Sequence, residues 1–358
     1  MQLRLEKRPE PSKLLQVATP VAAVLLTMVL GAVIFTVLGY DGLGAVREIF
    51  VSPLAISYKW QDLAVKAAPL IIIAVGLSIA YRANVWNIGA EGQYIVGAIC
   101  GTGIGILTND MTGWWIMPLM MLAGAAGGAA YAAVPALLRV RFNVNEILTT
   151  LMLTYASVYL LNYLLSGPFK SPTSMGQPQT VLLSADQTLP YIIPGTIVQL
   201  NAPLAIVVAL AVWLVFSRFV FGFQIRVVGS APNAARYGGF SADRTIWLAM
   251  LISGGLAGFA GILEVMGPVG RLILQFPANY GFTAIIVAFL GRLHPLGAVL
   301  AGIMIAITFV GGEMAQITIK LPFAAVGIFQ AMMLFLILAS DILVRYRIRA
   351  VRPGQASA

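Results

Sequence analysis

The stretch Leu14–Leu38, LLQVATPVAAVLLTMVLGAVIFTVL, is an apolar run preceded by a basic segment. A helix crosses the hydrocarbon core of a bilayer with about 20 apolar residues, because each residue adds about 1.5 Å. The run is also longer than the roughly 7 to 15 apolar residues of a secretory signal. We therefore expect a retained first transmembrane helix.

The rest of the chain is as apolar as this run. Of 358 residues, 59% are hydrophobic and only 10% are charged, whereas a soluble domain carries about 25% charged residues. Lipid must therefore surround most of the chain, and its length leaves room for about ten spans with short connections. We predict an all-α membrane protein, a polytopic helical bundle with about ten transmembrane helices and no separate soluble domain.

Apolar runs and the breakers between them give the positions of the spans. The predicted spans cover residues 14 to 38, 63 to 81, 88 to 107, 114 to 138, 147 to 165, 202 to 217, 246 to 267, 281 to 291, 296 to 313 and 323 to 343. Together they form a transmembrane domain, 14–343, between an N-terminal tail, 1–13, and a basic C-terminal tail, 344–358.

The basic residues indicate how the chain is oriented. The net charge is +9, but the charges lie in short clusters between spans rather than along one soluble face, which argues against nucleic-acid binding. If the N-terminus is inside, all but six of the 22 Lys and Arg residues are cytoplasmic, as the positive-inside rule expects. Both termini are then cytoplasmic. The six outer residues are Arg47, Lys59, Lys66, Lys170, Arg271 and Lys320.

Two connections are longer than a tight turn needs, and they face opposite sides of the membrane. The outer loop, 166–199, is rich in Pro, Ser, Thr and Gln. Long loops often carry function, so we consider a docking or lid surface, with an ordinary solvated loop as the alternative. The inner loop covers residues 218–244.

Two helix starts carry polar residues where lipid is expected, at the third and the fifth span. These residues are Asn87, Glu91, Gln93, Asn145, Glu146 and Thr149. Both helices run from inside to outside, so the six residues would line a gate in the cytoplasmic half of the membrane. The alternative is helix capping, because Asn143 followed three residues later by Glu146 has the spacing of a capping box.

A further polar group is expected near the outer side. Asn279 is flanked by Phe276, Tyr280 and Phe282, and aromatic faces with one amide suit a planar or ring-shaped solute. An aromatic belt at the lipid interface explains the same residues. Glu264, near the outer end of the seventh span, is expected at the interface, or alternatively in a water-filled vestibule.

The chain lacks the motifs of nucleotide hydrolysis and of hydrolase chemistry. No lysine follows a glycine, so a Walker A motif is absent, and neither HExxH nor Gly-x-Ser-x-Gly occurs. One cysteine, Cys100, and one histidine, His294, exclude a multi-cysteine metal site and a His cluster. We expect no catalytic residue, metal or cofactor in this chain, and an energy source in a partner.

A stand-alone ion-coupled carrier or channel is the competing class. Such a carrier would place titratable groups near the membrane midplane, whereas the acidic residues here cluster at helix ends and in loops.

The inner loop contains the signals of a short helix. Arg226–Gly229 is expected to be strand-like, followed by a turn and a helix that begins near Pro232 and stops at Gly238 and Gly239. A short helix held between two spans is a mechanical lever.

Three stretches resemble the permease subunits of bacterial ABC importers for simple sugars and nucleosides, relatives of the ribose and branched-chain amino acid permeases. Asn87–Gln93 is similar to the family's signature, Arg226–Gly238 to its coupling-helix segment, and Gly281–Gly297 to its penultimate-helix region. Asn145–Tyr155 resembles the larger of two paired nucleoside permeases.

The resemblance implies a multi-pass protein of the bacterial cytoplasmic (inner) membrane that forms half of a pathway for nucleosides, with a simple sugar as the alternative solute. It implies three partners: a second homologous permease, a cassette ATPase that carries ATP and Mg²⁺, and an extracellular or periplasmic solute-binding protein. The expected ATPase-coupling residues are Arg226, Gly229, Asn233, Ala234, Ala235, Arg236, Tyr237 and Gly238.

Overall fold

The computed structural model describes residues 2–7, 13–172, 174, 176–276 and 279–351. The helices are α1 (Lys13–Val37), α2 (Gly42–Phe50), α3 (Ser52–Ala55), α4 (Lys59–Arg82), α5 (Ala90–Leu107), α6 (Ile116–Phe142), α7 (Glu146–Ser166), α8 (Asn201–Arg218), α9 (Val220–Ser230), α10 (Pro232–Tyr237), α11 (Ala242–Glu264), α12 (Tyr280–Leu290), α13 (Pro295–Thr318) and α14 (Phe323–Arg345). A 3₁₀ turn (Ala185–Gln187) and a π-helical turn (Val265–Val269) interrupt them, and two short strands lie at the ends, β1 (Gln2–Lys7) and β2 (Tyr346–Val351).

A helix lies at each of the ten predicted spans. Among the described residues, seven helices are long and apolar enough to cross a membrane: most of α1, then α4, α6, α7, α8, α11 with the π-helical turn, and α13. The other three predicted spans coincide with α5, α12 and α14. An all-α polytopic membrane protein is therefore confirmed, while α5 carries a polar first turn and α12 has only 11 residues.

The two ends of the described chain form an antiparallel ribbon. In it Gln2 lies opposite Val351 and Lys7 opposite Tyr346. The apolar patterns of the spans give no sign of this pairing, which holds both ends of the chain together. The all-α expectation therefore applies to the spanning part of the protein rather than to its ends.

The chain divides into two compact units, and the larger one covers residues 56–307. Its centre is α4, which is buried along nearly its whole length. Helices α5, α6 and α11 pack closely because glycines face one another: a Cβ at Gly97 would overlap the backbone of Gly258, and one at Gly128 would overlap the backbone of Gly254. Small residues at such contacts are typical of helix packing in membranes.

The smaller unit combines residues 1–55 with 308–358. Its described core is aromatic, since Phe329 lies between Phe35 and Phe50 with ring centroids 5.1 and 5.9 Å apart. The Gln330 amide also donates a hydrogen bond to the Thr308 hydroxyl at 3.3 Å. This bond gives the buried amide group of Gln330 a hydrogen-bond partner.

The long outer loop is held against its own chain by backbone hydrogen bonds. Leu189 N donates to Met266 O at 2.8 Å, and Leu183 N donates to Gly270 O at 3.0 Å. The loop therefore covers the end of α11 and the π-helical turn. Glu264, which was expected at the interface or in a vestibule, is buried, so the interface expectation was wrong.

Two local expectations of the sequence are corrected by the structure. Arg226–Gly229, expected to be strand-like, lies inside the helix α9, because Gly222, Ile225 and Val228 form a buried helical face. Asn143 does not open a capping box with Glu146. It adopts a left-handed conformation, φ 53°, and ends α6.

Candidate functional site

The polar residues at the start of α5 form a closed hydrogen-bond pair. The Asn87 amide donates to Gln93 Oε1 at 2.8 Å, and the Gln93 amide donates back to Asn87 Oδ1 at 3.0 Å. Asn87 also donates to the Ser253 hydroxyl on α11 at 3.0 Å. Because Asn87 and Gln93 are both buried, this pair fixes the non-helical segment before α5 to the core of the unit.

Glu91 joins α5 to the start of α12. One of its carboxylate oxygens accepts a hydrogen bond from Asn279 N at 3.1 Å, and the other accepts one from Gly281 N at 2.5 Å. The first N–H groups of a helix lack partners within the helix, and the helix dipole favours an anion beside them. The buried carboxylate of Glu91 therefore caps α12 from outside that helix.

The contact of Glu91 with Asn279 corrects the predicted depths of these residues. The sequence placed Glu91 in the cytoplasmic half of the membrane and Asn279 near the outer side, but the two are hydrogen-bonded. The 11 residues of α12 extend for about 16 Å, roughly half of the hydrocarbon core. The helix α12 therefore begins inside the bundle, against the first turn of α5, and both predicted groups belong to one site.

The aromatic residues near Asn279 pack inside the protein. The rings of Tyr94 and Phe276 are stacked with centroids 4.9 Å apart, and Tyr280 meets Tyr94 edge-on at 6.2 Å. Phe276 and Tyr280 are buried and Phe282 is half-buried, so an aromatic belt of these residues at the lipid interface is wrong. A role of Phe276, Asn279 and Phe282 in solute contact stays a prediction.

The start of α7 is tied to the same non-helical segment. Asn145 caps α7, accepting a hydrogen bond from Ile147 N at 2.9 Å. The Glu146 carboxylate forms a salt bridge with Arg139 on α6 and accepts a hydrogen bond from Trp86 N at 3.3 Å.

Two threonines that follow Glu146 make further hydrogen bonds at the start of α7. Thr150 on α7 accepts a hydrogen bond from Ile88 N at 3.3 Å. Thr149 donates to the Asn145 carbonyl at 3.1 Å and borders an open apolar pocket of about 360 Å³. The segment 84–89 thus connects the two groups that the sequence identified separately: its Trp86 and Ile88 bind the start of α7, and its Asn87 binds α5.

A tyrosine face on α7 was missed by the sequence reasoning. Tyr155, Tyr159 and Tyr163 are 60%, 74% and 70% exposed and follow one another at four-residue intervals, which places them on one side of the helix. Hydroxyl groups that face lipid tails have no hydrogen-bond partner. The spacing was the available signal, and it places three exposed tyrosines on one side of α7.

The inner loop presents a short helix on a rigid support. A Cβ at Gly229 on α9 would overlap the carbonyl of Arg82, the last residue of α4. The Arg82 guanidinium lies 4.7 Å from the ring centre of Phe216 at the end of α8. The loop is therefore packed directly on the ends of two spans.

His294 lies between α12 and α13. Burial and the nearby Arg82 lower the pKa of His294, which favours its neutral form.

The predicted coupling residues divide into a packed set and an exposed set. Ala235 is the buried residue of α10, and Gly229 on α9 packs against the end of α4. The exposed residues are Arg226, Asn233, Ala234, Arg236, Tyr237 and Gly238. Tyr237 is 96% exposed, and with Asn233 and Arg236 it borders a shallow surface depression. Six of the eight predicted coupling residues are thus exposed, and their contact with an ATPase stays a prediction.

Comparison with known proteins gives a consistent result. The family model described as "Branched-chain amino acid transport system / permease component" matches residues 60–338. The chain is 34% identical to the glucose ABC transporter permease protein of Haloferax volcanii, over 97% of this chain and 94% of that protein. None of the solved structures matches it.

Two further relatives are described as permeases for nucleosides. The nucleoside ABC transporter permease protein of Lactococcus lactis is 27% identical over 84% of this chain and 85% of its own length. The guanosine ABC transporter permease protein of Bacillus subtilis is 27% identical over 93% of this chain and 96% of its own length.

Proposed function

The chain belongs to the family of permease components of branched-chain amino acid transport systems, and on this basis we propose that it forms half of the pathway of an ATP-driven importer. ATP and Mg²⁺ belong to a separate cassette ATPase. The chain itself is a transport subunit and carries no catalytic residue. A solute-binding protein on the outer side and a second permease complete the assembly.

The orientation of the chain follows from its charges and its ends. Ten spans and cytoplasmic termini agree with the distribution of basic residues, and the β1–β2 ribbon supports an even number of spans because it holds both ends together. In this orientation α10 faces the cytoplasm and the long loop 166–199 faces outside. The membrane is the cytoplasmic membrane.

The observation that carries the proposal is the packing of α9 on α4. An ATPase that pushes on the exposed surface of α10 moves α9, and Gly229 transmits the movement to Arg82 at the end of α4. The segment 84–89 follows directly and carries Asn87, which is bonded to Gln93 and Ser253. A two-state element of this kind exchanges outward-open and inward-open forms when nucleotide favours one of them.

The gate is proposed at the junction of α5, α7 and α12. Glu91 holds the first turn of α12, and Glu146 with Arg139 holds the start of α7. Glu91 follows the segment 84–89 by two residues, and Glu146 accepts a hydrogen bond from Trp86 within it. Movement of that segment therefore changes the relative positions of three helix starts at once.

The pathway surface is proposed on α7. The exposed residues Leu148, Met152, Tyr155 and Tyr159 are spaced by four, three and four residues, which places them in one stripe along α7, at the spacing that a partner helix packs against. A second permease covers this stripe, and the two tyrosines line the solute path between the subunits. Tyrosine faces and hydroxyls suit a neutral solute that has a ring and several hydroxyl groups.

The proposed solute is a nucleoside, which the nucleoside and guanosine permeases among the relatives support. A simple sugar is the second candidate, because the relative with 34% identity is described as a glucose permease. Uptake of a labelled nucleoside and of labelled glucose by cells that contain the chain and its partners separates the two. Nucleoside uptake that is inhibited by unlabelled nucleosides but not by glucose supports the nucleoside, and glucose uptake without nucleoside uptake assigns the sugar.

A further inference from the structure

The outer loop ends in a small hairpin directly before α8. Tyr191 pairs with Gln199 in an antiparallel bridge, and Ile192 N donates a hydrogen bond to Val198 O at 3.0 Å. We refer to residues 191–199 as the outer hairpin.

The tip of the outer hairpin is a defined turn. Thr196 N donates to Ile193 O at 3.1 Å, and Pro194 and Gly195 lie between them. Gly195 has φ +79°, as a type II turn requires at its second central position, while proline suits the first. The tip therefore has one fixed shape that presents its side chains outward.

The base of the outer hairpin is attached to the ends of the spans. Leu189 N donates to Met266 O, and Ile197 N donates to the side-chain oxygen of Gln61 at 3.0 Å. Gln61 lies in the first turn of α4, and α8 begins two residues after the hairpin. The outer hairpin is therefore held at the level where α4 and α8 enter the membrane.

Exposed aromatic residues mark the same level on α4. Tyr58 and Trp60, beside Gln61, are both exposed. Tyrosine and tryptophan are enriched at the boundary between lipid and water, because one part of each ring system is apolar and one part is polar.

The exposed large side chains of the outer hairpin are apolar or aromatic, and none is charged. Tyr191, Ile192, Ile193 and Ile197 are all exposed, and Ile193 is 55% exposed. No Asp, Glu, Lys, Arg or His occurs from residue 187 to residue 217. A contiguous exposed apolar group of this kind marks a surface that binds lipid or another protein.

We propose that the outer hairpin inserts its isoleucine tip into the outer leaflet, where the boundary between headgroups and acyl chains surrounds it. Lipid is favoured over a docked protein because a transient protein interface has a polar rim, and no charged residue occurs in the hairpin itself or in α8 before Arg218. The apolar surface also continues along α8, where Ile206 and Val207 are exposed. This inference goes beyond the proposed function and rests on it only for the orientation that places the loop 166–199 outside; otherwise it needs only that α4 and α8 cross the membrane.

Depth-dependent fluorescence quenching tests the insertion. In the full-length protein carrying Cys100→Ala, a bimane probe is attached to Ile193→Cys. The matched control is Gln177→Cys, which is exposed in the same loop outside the hairpin. Each labelled protein is placed in phosphatidylcholine nanodiscs that contain nitroxide lipids labelled either on the headgroup or on the acyl chain.

We expect the acyl-chain nitroxide to quench the probe at position 193 at least about twofold more than the probe at position 177. Equal and weak quenching at the two positions would overturn the proposal. A probe at position 193 that is unquenched by lipid and changes only when a solute-binding protein is added would also overturn it, because the hairpin would then be a protein-docking site.

Discussion

The Glu91 carboxylate accepts a hydrogen bond from the backbone N–H of Gly281 at 2.5 Å, although the two residues are 190 positions apart in the chain. The contact joins the first turn of α5 to the first turn of α12. It also explains why residue 281 is a glycine, because a Cβ there would overlap the backbone of Glu91.

Replacing Glu91 with glutamine exchanges one acceptor oxygen for an amide that donates, opposite backbone N–H groups that also donate. We expect a loss of about 2 kcal/mol of stability, within the range of about 1–3 kcal/mol for a buried group left without its hydrogen bond, measured as a lower midpoint of thermal unfolding. Glu264→Gln is the matched control, because Glu264 is also buried but one of its oxygens has no hydrogen-bond partner among the described residues. Equal losses in the two variants would contradict the capping role.

Gly281→Ala tests the same contact by adding volume. We expect a loss of about 1–3 kcal/mol, because the added methyl group forces the two helix starts apart. Gly327→Ala on α14 is the control, since a Cβ at that position has no neighbour within 4 Å. Both variants are compared by thermal unfolding, and a Gly281→Ala protein as stable as wild type would be inconsistent with close packing here.

Variants of the ion pair between Arg139 and Glu146 distinguish a gating role of Glu146 from a purely structural role at the start of α7. If it only fixes the start of α7, Glu146→Gln lowers stability by about 1 kcal/mol and leaves transport unchanged. The gate proposal expects a changed uptake rate as well. A double-mutant cycle with Arg139→Gln, measured by stability and by uptake, assigns the effect to the pair. Unchanged uptake in all variants would remove Glu146 from the gate.

The exposed surface of α10 is tested by Ala234→Arg. We expect uptake to fall at least about tenfold, because a bulky charge in the ATPase contact costs more than about 1.4 kcal/mol, while the chain still inserts. Arg141→Ala is the control, being exposed at the end of α6. Membrane abundance is measured beside uptake, and normal uptake of Ala234→Arg would exclude α10 as the contact.

The tyrosine face on α7 is tested by Tyr159→Leu. If Tyr159 lines the pathway, the KM for uptake rises about 3- to 10-fold, since one lost stacking contact is worth about 0.5–1.5 kcal/mol. Ile206→Leu on the exposed face of α8 serves as the control. The same KM in both variants would indicate that Tyr159 faces lipid.

Much of the fold follows from periodicity and composition, because each span must be apolar over a length that the bilayer sets. The positions of the helices at the predicted spans and the short helix from Pro232 were therefore accessible from the sequence. The tertiary use of the polar residues was not. Nothing near Glu91 indicates that its partners are Asn279 and Gly281, because the sequence does not give the depth at which the short span 281 to 291 begins.

The errors have related physical causes. Arg226–Gly229 is rich in β-branched residues, yet three buried neighbours at helical spacing in α9 determine its conformation. Glu264 was expected at the interface, and only the tertiary packing of the chain reveals that it is buried. The α7 tyrosines were visible in the sequence, but which side of α7 they occupy becomes clear only when the buried face, with Thr150, Thr154 and Ser157, is known.

The most direct test of the central claim is reconstituted uptake of a labelled nucleoside into proteoliposomes. We predict accumulation when the chain is reconstituted with its second permease, its cassette ATPase and its binding protein in the presence of ATP and Mg²⁺, and none when ATP is omitted. The chain alone should accumulate nothing under a proton or sodium gradient. ATP-independent accumulation by the chain alone would contradict the account and identify an ion-coupled carrier.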